Sequence, residues 1–554
     1  MKIGIVTYYR HDALASLAQV RAVTAEVLQA AHELQPYSAE FPFASRARRH
    51  QLTMEWLANC DAVIGPIDEA LLHARHEARC RTPYICLLLG HLSRGGLPLA
   101  SAHRYLRTSD VLIGNCAADL SLVDLFLQNA TAERVPFGFD ASLFYPADEA
   151  AQRALRERWS IGPSEKIVLY AGRIALEKNL HTLLKAFRVV RDVMPARLVI
   201  AGGVTAHPFH QFGAFPLGMM RMVRRLMAQL DLDERHVLFV GDQSPEALRD
   251  WYSTADVLAN LTLNHDENFG LAQIEAMACG LPAVGTAWGG LNDTIVDGVT
   301  GYRVPTLATP AGVKVDWWRA ASRLLQLLES GQEHKALRQS CRDRVESCFS
   351  TAHYQRGLER AIAKSVAAAA TDAWATPLRP TAFAEQIWTT CFEGSYGDGG
   401  FVDLSLPPYR RGNGAWDLYR QMIARFTDAS CDVPLSSPAE EPRGWCLASS
   451  LIMCDDGIAI DDPIYPQKMP VPDAMADDVR RLVQAFTEQP VQADAAFEDC
   501  DAGVREALAW MHASGLLLRT VLGKIEPARA HRALGQPAFV IHEVAHRSDI
   551  LYIA

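Results

Sequence analysis

The stretch NHDENFGLAQIEAMACGLPAVGTAWGG, residues 264–290, places two carboxylates, Glu267 and Glu275, on either side of a short apolar run that contains a glycine. Charged side chains are rarely buried in proteins unless a partner compensates the charge. Glu275 lies in a segment that otherwise suits burial, so we expect it to have a partner, which could be a ligand. The stretch is predicted to begin a helix near Gly270 and Leu271, and free backbone N–H groups at a helix start favour an anion.

Short apolar runs alternate with helical patterns on both sides of this stretch, which is typical of doubly wound α/β sheets with parallel strands. The linker VPFGFDASLFYP, 135–146, separates two such series, and its glycine and two prolines suit a hinge. A helical pattern at 315–366 follows, and Pro377 and Pro380 place a boundary near 370. Beyond it, FVDLSL at 401–406 alternates like a strand. Amphipathic helices are predicted at 415–426, 476–486 and 504–515.

Length, composition and charge limit the classes of protein that remain. A chain of 554 residues is expected to form about two to four domains. It has no apolar run of the roughly 18 residues that predict a membrane span, and its start lacks a signal-peptide layout, so we expect a cytoplasmic protein. Twelve scattered cysteines without CxxC pairs predict reduced thiols. Residues 372–554 hold 26 Asp and Glu against 15 Lys and Arg, which indicates a separate acidic module and argues against nucleic acid as a partner.

The segment AGRIALEKN, residues 171–179, carries the second candidate group. A predicted strand ends at Gly172, which permits a tight turn, and Arg173 and Lys178 follow it in a loop. Ligands of open α/β sheets bind at the carboxyl ends of the strands. A guanidinium and an ammonium five residues apart are suited to hold a diphosphate there. The alternative is a solvated charged loop in which these cations pair with Glu177.

The two carboxylates of the opening stretch suit a different part of such a ligand. Glu267 lies in the loop before the predicted helix, and Glu275 about one and a half turns inside it. Both can accept hydrogen bonds from neutral hydroxyl groups, which sugars and riboses offer. The interpretation that follows is a polyol ligand that carries phosphate.

The order of these motifs resembles glycosyltransferase family 4. The sequence has G-R-x₃-E-K-N at 172–179, E-N-F-G-L-x₃-E-A-M-A-C-G-L-P at 267–282, then Gly-Gly and D-G-x-x-G-Y at 297–302. The linker resembles the hinge of that family, with Asp140 and Phe144. The resemblance covers roughly 60–370 in motif order and 1–60 only in general pattern. It implies retaining glycosyltransferases that use nucleotide sugars and have the GT-B fold, with two Rossmann-like domains that face a cleft.

The resemblance also implies roles for individual residues. Arg173 and Lys178 would bind the donor diphosphate and stabilise the leaving group, beside the turn at Gly172. Glu267 would contact the transferred sugar, and Glu275 the nucleotide ribose. Backbone amides in the segment Asn268, Phe269, Gly270 and Leu271 would approach the sugar and phosphates. His91, in LLLGHLSRGG, matches a family histidine at the reacting centre; a structural histidine at a strand end is the alternative. The implied catalytic residues are therefore His91, Arg173, Lys178 and Glu267.

Two segments depart from the family pattern. Many members have a Gly-Gly loop after the first strand, whereas this chain has TYYRHDALAS at 7–16, in which Arg10 or His11 could substitute. The insertion HPFHQFGAFPLGMMRMVRRL at 207–226 is long for its position and ends in a basic, Met-rich amphipathic helix. That helix could touch a membrane or a lipid-linked acceptor, and a packed surface helix is the alternative.

These observations predict an organisation and a set of partners. We expect an N-terminal Rossmann-like acceptor domain at 1–145, a nucleotide-sugar donor domain at 146–345, a helix at 346–370 that returns to the first domain, and an acidic α+β extension at 371–554. The donor is expected to be a nucleotide diphosphate sugar, and neither a metal nor another cofactor is expected. The acceptor could be a small molecule, a lipid carrier, a glycan or a peptide. Membrane contact is expected to be absent or peripheral, and the extension could mediate a homodimer. The alternatives are a nucleotide-sugar epimerase, a phosphorylase and a regulatory protein that binds a nucleotide sugar.

A zinc-peptidase pattern, H-E-x-x-H, occurs near the C-terminus at His542, Glu543 and His546. Only eight residues follow His546 in the sequence, which leaves no room for the usual downstream ligand, and the residues after Pro537 read equally well as a strand. We therefore expect these residues to be structural and no metal to be bound.

Overall fold

The computed structural model describes residues 1–6, 15–37, 46–90, 92, 96–204, 216–264, 267–329, 331–396, 415–427, 442–462, 467–523 and 525–532. The chain divides into two compact units. Unit 1 comprises Met1–Ala141, His265–Ile274 and Asp343–Phe426, and unit 2 comprises Ser142–Asn264, Glu275–Arg342 and Thr427–Ala554. Among the helices described, none is both long and apolar enough to cross a membrane.

Unit 1 is built on a six-stranded parallel sheet. Its strands β3, β4 and β5 are buried along their whole length, as expected where helices cover both faces of a sheet. The strand order is β2-β1-β3-β4-β5-β7. The strands of this sheet are β1 (Lys2–Ile5), β2 (Glu33–Pro36), β3 (Ala62–Gly65), β4 (Tyr84–Leu87), β5 (Val111–Gly114) and β7 (Thr131–Arg134), and the short strand β6 (Leu127–Gln128) lies outside it. The helices are α1 (Ala15–Gln29), α2 (Arg46–Ala58), α3 (Glu69–Glu77), α4 (Leu97–Ala102) and α5 (Ala117–Phe126).

Unit 2 contains a second six-stranded parallel sheet, in the order β10-β9-β8-β11-β12-β13. The chain runs outward from β8 to β10, then returns to pair β11 with the other edge of β8. Its strands are β8 (Lys166–Ala171), β9 (Ala196–Ala201), β10 (Val237–Gly241), β11 (Val257–Asn260), β12 (Ala283–Thr286) and β13 (Gly301–Val304), followed by a hairpin of β14 (Thr306–Thr309) and β15 (Gly312–Val315). Its helices are α6 (Glu149–Arg158), α7 (Leu180–Val193), α8 (Pro216–Gln229), α9 (Pro245–Thr254), α11 (Leu291–Thr294) and α12 (Trp317–Glu329). Helix α10 (Leu271–Ala278) begins in unit 1 and enters unit 2 at Glu275.

The chain then returns to unit 1. Helices α13 (Gly331–Phe349) and α14 (Thr351–Ala369) are followed by β16 (Arg379–Pro380), α15 (Ala382–Tyr396) and α16 (Ala415–Ile423). Helix α14 is bound to the first part of unit 1 by polar contacts. The Tyr354 hydroxyl lies 2.9 Å from Thr24 Oγ1, and Ser365 Oγ donates to the carbonyl of Ser109 at 2.7 Å. The segment predicted as a returning helix, 346–370, therefore lies mostly in α14.

The last described part of the chain, 442–532, belongs to unit 2. It forms two three-stranded antiparallel sheets, β21-β17-β22 and β18-β19-β20. The elements are β17 (Arg443–Leu447), β18 (Ser450–Cys454), β19 (Gly457–Asp461), β20 (Gln467–Met469), α17 (Ala476–Glu488), β21 (Val491–Ala493), α18 (Ala502–Ser514) and β22 (Leu517–Val521). The predicted extension 371–554 is thus divided between the two units, and the predicted strand 401–406 lies outside the described residues.

Two tryptophans attach this part of the chain to α12. Trp317 Nε1 donates to the carbonyl of Leu447 at 2.9 Å, and Trp318 Nε1 donates to the carbonyl of Leu522 at 3.3 Å. Both indole side chains are buried, and a buried indole N–H needs an acceptor. Residues 442–522 therefore provide the hydrogen-bond acceptors that the two buried indole N–H groups of α12 require.

Unit 1 contains an ion pair that is almost completely withdrawn from solvent. The guanidinium of Arg75 binds both carboxylate oxygens of Asp110, at 2.7 and 2.6 Å, and the two side chains are 5% and 0% exposed. Asp110 also accepts the backbone N–H groups of Tyr84 and Arg107. This pair joins α3 to the chain on either side of β4, which precedes the segment of His91.

We predict that Asp110→Ala lowers the free energy of unfolding of unit 1 by about 3–5 kcal/mol, because the Arg75 charge is left buried without compensation. Urea denaturation measures the change. The matched control is Glu149→Ala in α6, whose exposed pair with Arg153 should contribute less than about 0.5 kcal/mol. Equal effects of the two substitutions would contradict the prediction.

Candidate functional site

The strand order of unit 2 defines where a ligand can bind. In an open parallel sheet, the crevice lies beyond the carboxyl ends of the two strands at which the connection reverses direction. Those strands are β8 and β11, which pair directly through Val257 with Val168 and Leu258 with Leu169. The loop with Arg173 and Lys178 follows β8, and the segment that leads to Glu275 follows β11.

The turn after β8 requires glycine for close backbone packing. Gly172 has φ +150°, and Gly202, at the end of β9, has φ +141°. A Cβ atom on Gly202 would lie 2.0 Å from the carbonyl oxygen of Gly172, so no larger residue fits there without movement of the backbone. The Tyr170 hydroxyl donates to the carbonyl of Arg173 at 2.6 Å. These contacts fix the start of the cationic loop.

Arg173 is held by an acidic residue from its own loop. Its guanidinium lies 3.2 Å from the Glu177 carboxylate, and the two side chains are 27% and 5% exposed. The pairing that the sequence left as an alternative is therefore present. It orients Arg173 and leaves part of the arginine side chain exposed, so it is compatible with an anion-binding role. Lys178 ends the short 3₁₀ turn Leu176–Lys178 and is half-buried.

The backbone of Glu177 joins the loops that follow β8 and β11. Its carbonyl accepts the N–H of Leu263 at 2.9 Å and the hydroxyl of Thr262 at 3.3 Å. Asn179 Nδ2 donates to the carbonyl of Leu261 at 2.9 Å. The cationic loop and the segment after β11 are thus one hydrogen-bonded structure.

Glu275 has a protein partner that the sequence did not predict. The Tyr252 hydroxyl, from α9, donates to Glu275 Oε2 at 2.9 Å. Burial raises the pKa of Glu275 to about 7, against an opposing effect of the Tyr252 hydrogen bond. One oxygen is therefore occupied by the tyrosine, and Glu275 changes charge near neutral pH. Nothing in the sequence around Tyr252 distinguishes it from a core tyrosine, which explains why the sequence did not predict this contact.

The first part of the opening stretch belongs to unit 1. Asn268 Nδ2 donates to the carbonyl of Leu88 at 3.1 Å, and Asn115 Nδ2 donates to the same oxygen at 2.9 Å. Leu88 lies three residues before His91, which is itself outside the described residues. The structure therefore connects the Glu267–Leu271 segment to the chain that leads to His91.

Phe269 has a packing role. Its ring meets Phe137 and Phe349 edge to face, with centroid distances of 5.4 and 5.6 Å. The side chain is buried, so only its backbone remains for a ligand. Gly270, with φ +81°, turns the chain into α10, and Glu267 is half-buried in the loop before it.

The predicted site residues fall into two groups. Gly172, Arg173, Lys178 and Glu275 lie in unit 2, and Glu267, Asn268, Phe269, Gly270 and Leu271 lie in unit 1. Within the described ranges, no three His, Cys, Asp or Glu side chains are grouped so as to hold a metal ion. Arg10, His11, His542, Glu543 and His546 lie outside those ranges.

The two parallel sheets and the loops at the β8/β11 crevice define a class, the GT-B proteins, and solved structures share this fold. Sucrose-phosphate synthase from Thermosynechococcus elongatus aligns with a TM-score of 0.50 and 19% identity, over 66% of this chain and 99% of that one. Anabaena HepE, solved in complex with UDP, aligns with a TM-score of 0.50 and 16% identity, over 65% and 99% of the two chains. The predicted fold class is confirmed.

Sequence comparison adds a family likeness. Residues 151–343 match the family model described as glycosyl transferases group 1. Among curated proteins, D-inositol 3-phosphate glycosyltransferase from Xylanimonas cellulosilytica is 31% identical over 244 residues, 43% of this chain and 54% of that one. The Mycolicibacterium gilvum protein of the same name is 38% identical over 167 residues, 30% and 34% of the two chains. The chain thus spans about a third to a half of these relatives.

We predict that Glu275 makes the stability of unit 2 depend on pH. The folded pKa, about 7, lies above the ordinary value of 4.5, so the folded state holds the proton more tightly. The resulting stabilisation is complete below about pH 4.5 and is lost as the pH rises through 7, by on the order of 3 kcal/mol. Glu275→Gln removes this titration. Urea midpoints of wild type and variant, measured from pH 4 to 8, should diverge as the pH rises; parallel profiles would contradict the prediction.

Proposed function

We propose that the protein is a glycosyltransferase that moves a sugar from a nucleotide diphosphate sugar to an acceptor, with retention of anomeric configuration and without a metal ion. The observation that supports this most directly is the loop after β8. Arg173 and Lys178 lie at the β8/β11 crevice, and the buried Glu177 orients Arg173 while its carbonyl binds the segment after β11. A diphosphate leaving group needs such cations, fixed before the reaction begins.

Each residue of unit 2 has a defined task in this proposal. Arg173 and Lys178 bind the diphosphate and stabilise the negative charge that develops as the sugar departs. Preorganised charges do this without reorganisation, which is why they are effective. Glu275 accepts hydrogen bonds from the ribose through the carboxylate oxygen that Tyr252 does not occupy. The ionised form accepts such bonds best, so donor binding is favoured above the pKa of Glu275.

The remaining roles come from the resemblance to glycosyltransferase family 4. Glu267 would contact the transferred sugar, the backbone from Asn268 to Leu271 would approach the sugar and phosphates, and His91 would orient the reacting centre. Double displacement would need a carboxylate nucleophile beside the anomeric carbon. The resemblance implies instead attack from the face of the leaving phosphate, with retention. The cytoplasmic location and the homodimer remain predictions.

The identities of the donor and the acceptor are found by testing a panel of each. HepE was solved with UDP, which makes uridine diphosphate sugars the first donors to test. D-inositol 3-phosphate is the first small acceptor to test, because the curated relatives are named for it. A lipid carrier, a glycan and a peptide complete the acceptor panel.

Two other functions make different predictions. A nucleotide-sugar epimerase would change the donor without any acceptor. A regulatory protein would bind the donor and release no nucleotide. Measurement of nucleotide release with and without acceptor, together with identification of the sugar product, separates all three.

We predict that Arg173→Ala lowers kcat for nucleotide release by about 10²–10³-fold, the effect of removing one preorganised stabiliser of a developing negative charge. Thermal shift with a panel of nucleotide diphosphate sugars first identifies the donor, and steady-state kinetics then measure the change. The matched control is Arg235→Ala, which removes an exposed arginine of unit 2 that pairs with Asp233 and should leave kcat unchanged. Full turnover in Arg173→Ala, or no donor that shifts the melting temperature, would refute the proposal.

We also predict that excess EDTA leaves the rate unchanged, because the two cations of the loop replace a divalent ion at the diphosphate. The assay compares initial rates before and after chelation, and after addition of magnesium or manganese. A rate that falls with EDTA and returns with a metal would disprove metal independence and leave the transferase assignment intact.

A further inference from the structure

The hydrogen bond between Tyr252 and Glu275 joins two helices, α9 and α10. The Tyr252 side chain is fully buried, and its hydroxyl donates to Glu275 Oε2 at 2.9 Å. Glu275 is only half-buried, so its carboxylate is not sealed inside the protein. A buried tyrosine hydroxyl needs a hydrogen-bond partner, whereas a carboxylate accepts several hydrogen bonds on its two oxygens. The contact therefore satisfies Tyr252 and leaves Glu275 able to accept hydrogen bonds from a ligand.

The ring of Tyr252 is held by the segment that opens unit 2. The ring of Phe144, itself buried, lies against it with 6.1 Å between the two centroids. The next residue of α9, Ser253, accepts the backbone N–H of Ala147 at 2.8 Å on its Oγ atom. The same hydroxyl donates to the carbonyl of Arg249 at 2.9 Å. These contacts fix the turn of α9 that carries the Tyr252 hydroxyl.

The ionisable groups near Glu275 leave Tyr252 as the group that adjusts its charge. In α9, Arg249 and Asp250 pair with each other at 2.7 Å. Cys279 lies one turn after Glu275, and burial raises the pKa of its thiol to about 12. Burial also raises the pKa of Tyr252 well above its usual value, so both groups are neutral near pH 7. The pKa of Glu275 depends first on burial, which raises it, and then on the Tyr252 hydrogen bond, which lowers it.

The direction of this second effect follows from the chemistry of the donor. A hydrogen bond donated to the charged form of a carboxyl group favours that form. Hydrogen bonds to an ionised acceptor are roughly twice as strong as those between neutral groups. Without the Tyr252 hydroxyl, Glu275 would therefore stay protonated up to a higher pH and would bind hydroxyl groups more weakly over that range.

We propose that Tyr252 is a positioning residue for the nucleotide: it holds Glu275 through Oε2, extends the ionised state of the carboxylate down to neutral pH, and leaves Oε1 for the ribose hydroxyls. Tyr252 has this role only if Glu275 binds the ribose, so the inference rests on the proposed function. It gives α9 and Phe144 a task in donor binding. It also defines a pH range, because the nucleotide is released as Glu275 takes up a proton.

The test measures the pH dependence of nucleotide binding by isothermal titration calorimetry from pH 6 to pH 9. It uses the full-length protein with UDP, GDP, ADP and TDP, and continues with the nucleotide that wild type binds best. Circular dichroism establishes at each pH that every variant is folded. The variant Tyr252→Phe removes the hydroxyl and keeps the ring against Phe144.

We predict that the pH below which Kd rises moves upward in Tyr252→Phe. In wild type this pH should be about 7, the pKa of Glu275. In the variant it should be about 8, because a hydrogen bond to a charged group is worth on the order of one pKa unit. Kd of the variant should then exceed that of wild type about fivefold at pH 7 and less than about twofold at pH 9.

Glu275→Gln provides the internal control, because glutamine does not ionise. In that background, Tyr252→Phe should change Kd by less than about twofold at every pH, since the coupling between the two residues is gone. The nucleotide phosphates titrate in the same range and affect all variants equally, so the comparison between variants isolates Glu275. Tyr302→Phe, in β13, is the matched tyrosine control. Its hydroxyl accepts from Gln326 Nε2 at 2.9 Å, and its profile should equal that of wild type.

A Tyr252→Phe profile equal to that of wild type, with weaker binding in Glu275→Gln, would overturn the inference and leave the proposed function standing. A loss that is the same at every pH, or that persists in the Glu275→Gln background, would also overturn it, because general loosening of α9 would then suffice. If Glu275→Gln binds as wild type does over the whole range, the ribose role of Glu275 fails and the inference fails with it. If wild type binds none of the four nucleotides, the proposed donor site fails as well.

Discussion

The hydrogen bonds around Glu177 connect the two halves of the parallel sheet in unit 2. Its carboxylate orients Arg173, and its backbone carbonyl accepts Leu263 N–H and the Thr262 hydroxyl. Strands β8 and β11 are neighbours in the sheet but nearly 90 residues apart in the chain, so the loops at their carboxyl ends need contacts of their own to keep a fixed geometry. Glu177 provides such a contact and a charge at the same point.

Buried acidic groups occur repeatedly in this protein, each with a different partner. Asp110 pairs with Arg75, Glu177 with Arg173, Asp462 with Lys314, and Glu275 with the Tyr252 hydroxyl. The first three have cationic partners. Glu275 has a neutral partner, and burial raises its pKa to about 7. This difference fits the proposed roles, because a carboxylate that binds ribose hydroxyls must retain accepting capacity for its ligand.

The C-terminal part of the chain is continuous with unit 2 in its packing. Trp317 and Trp318 donate to carbonyls of that part, Lys314 pairs with Asp462, and Gly515 packs so tightly against Thr309 that a Cβ atom would clash. The acidic excess of the sequence at 372–554 therefore has a local use at Asp462, in addition to any effect on the surface.

The sequence by itself determined the fold class, the alternation of strands and helices in two series, the cationic loop and the carboxylate pair. These features depend on local hydrophobic patterning and on motif spacing, which are written in consecutive residues. Tertiary structure alone decided that Tyr252 is the partner of Glu275, that Glu177 joins the loops after β8 and β11, that Phe269 packs between Phe137 and Phe349, and that Asp462 pairs with Lys314. Each of these contacts joins residues far apart in the chain. Hydrogen bonds and ion pairs of this kind leave no period in the sequence, because only the folded geometry brings the two partners within a few ångströms.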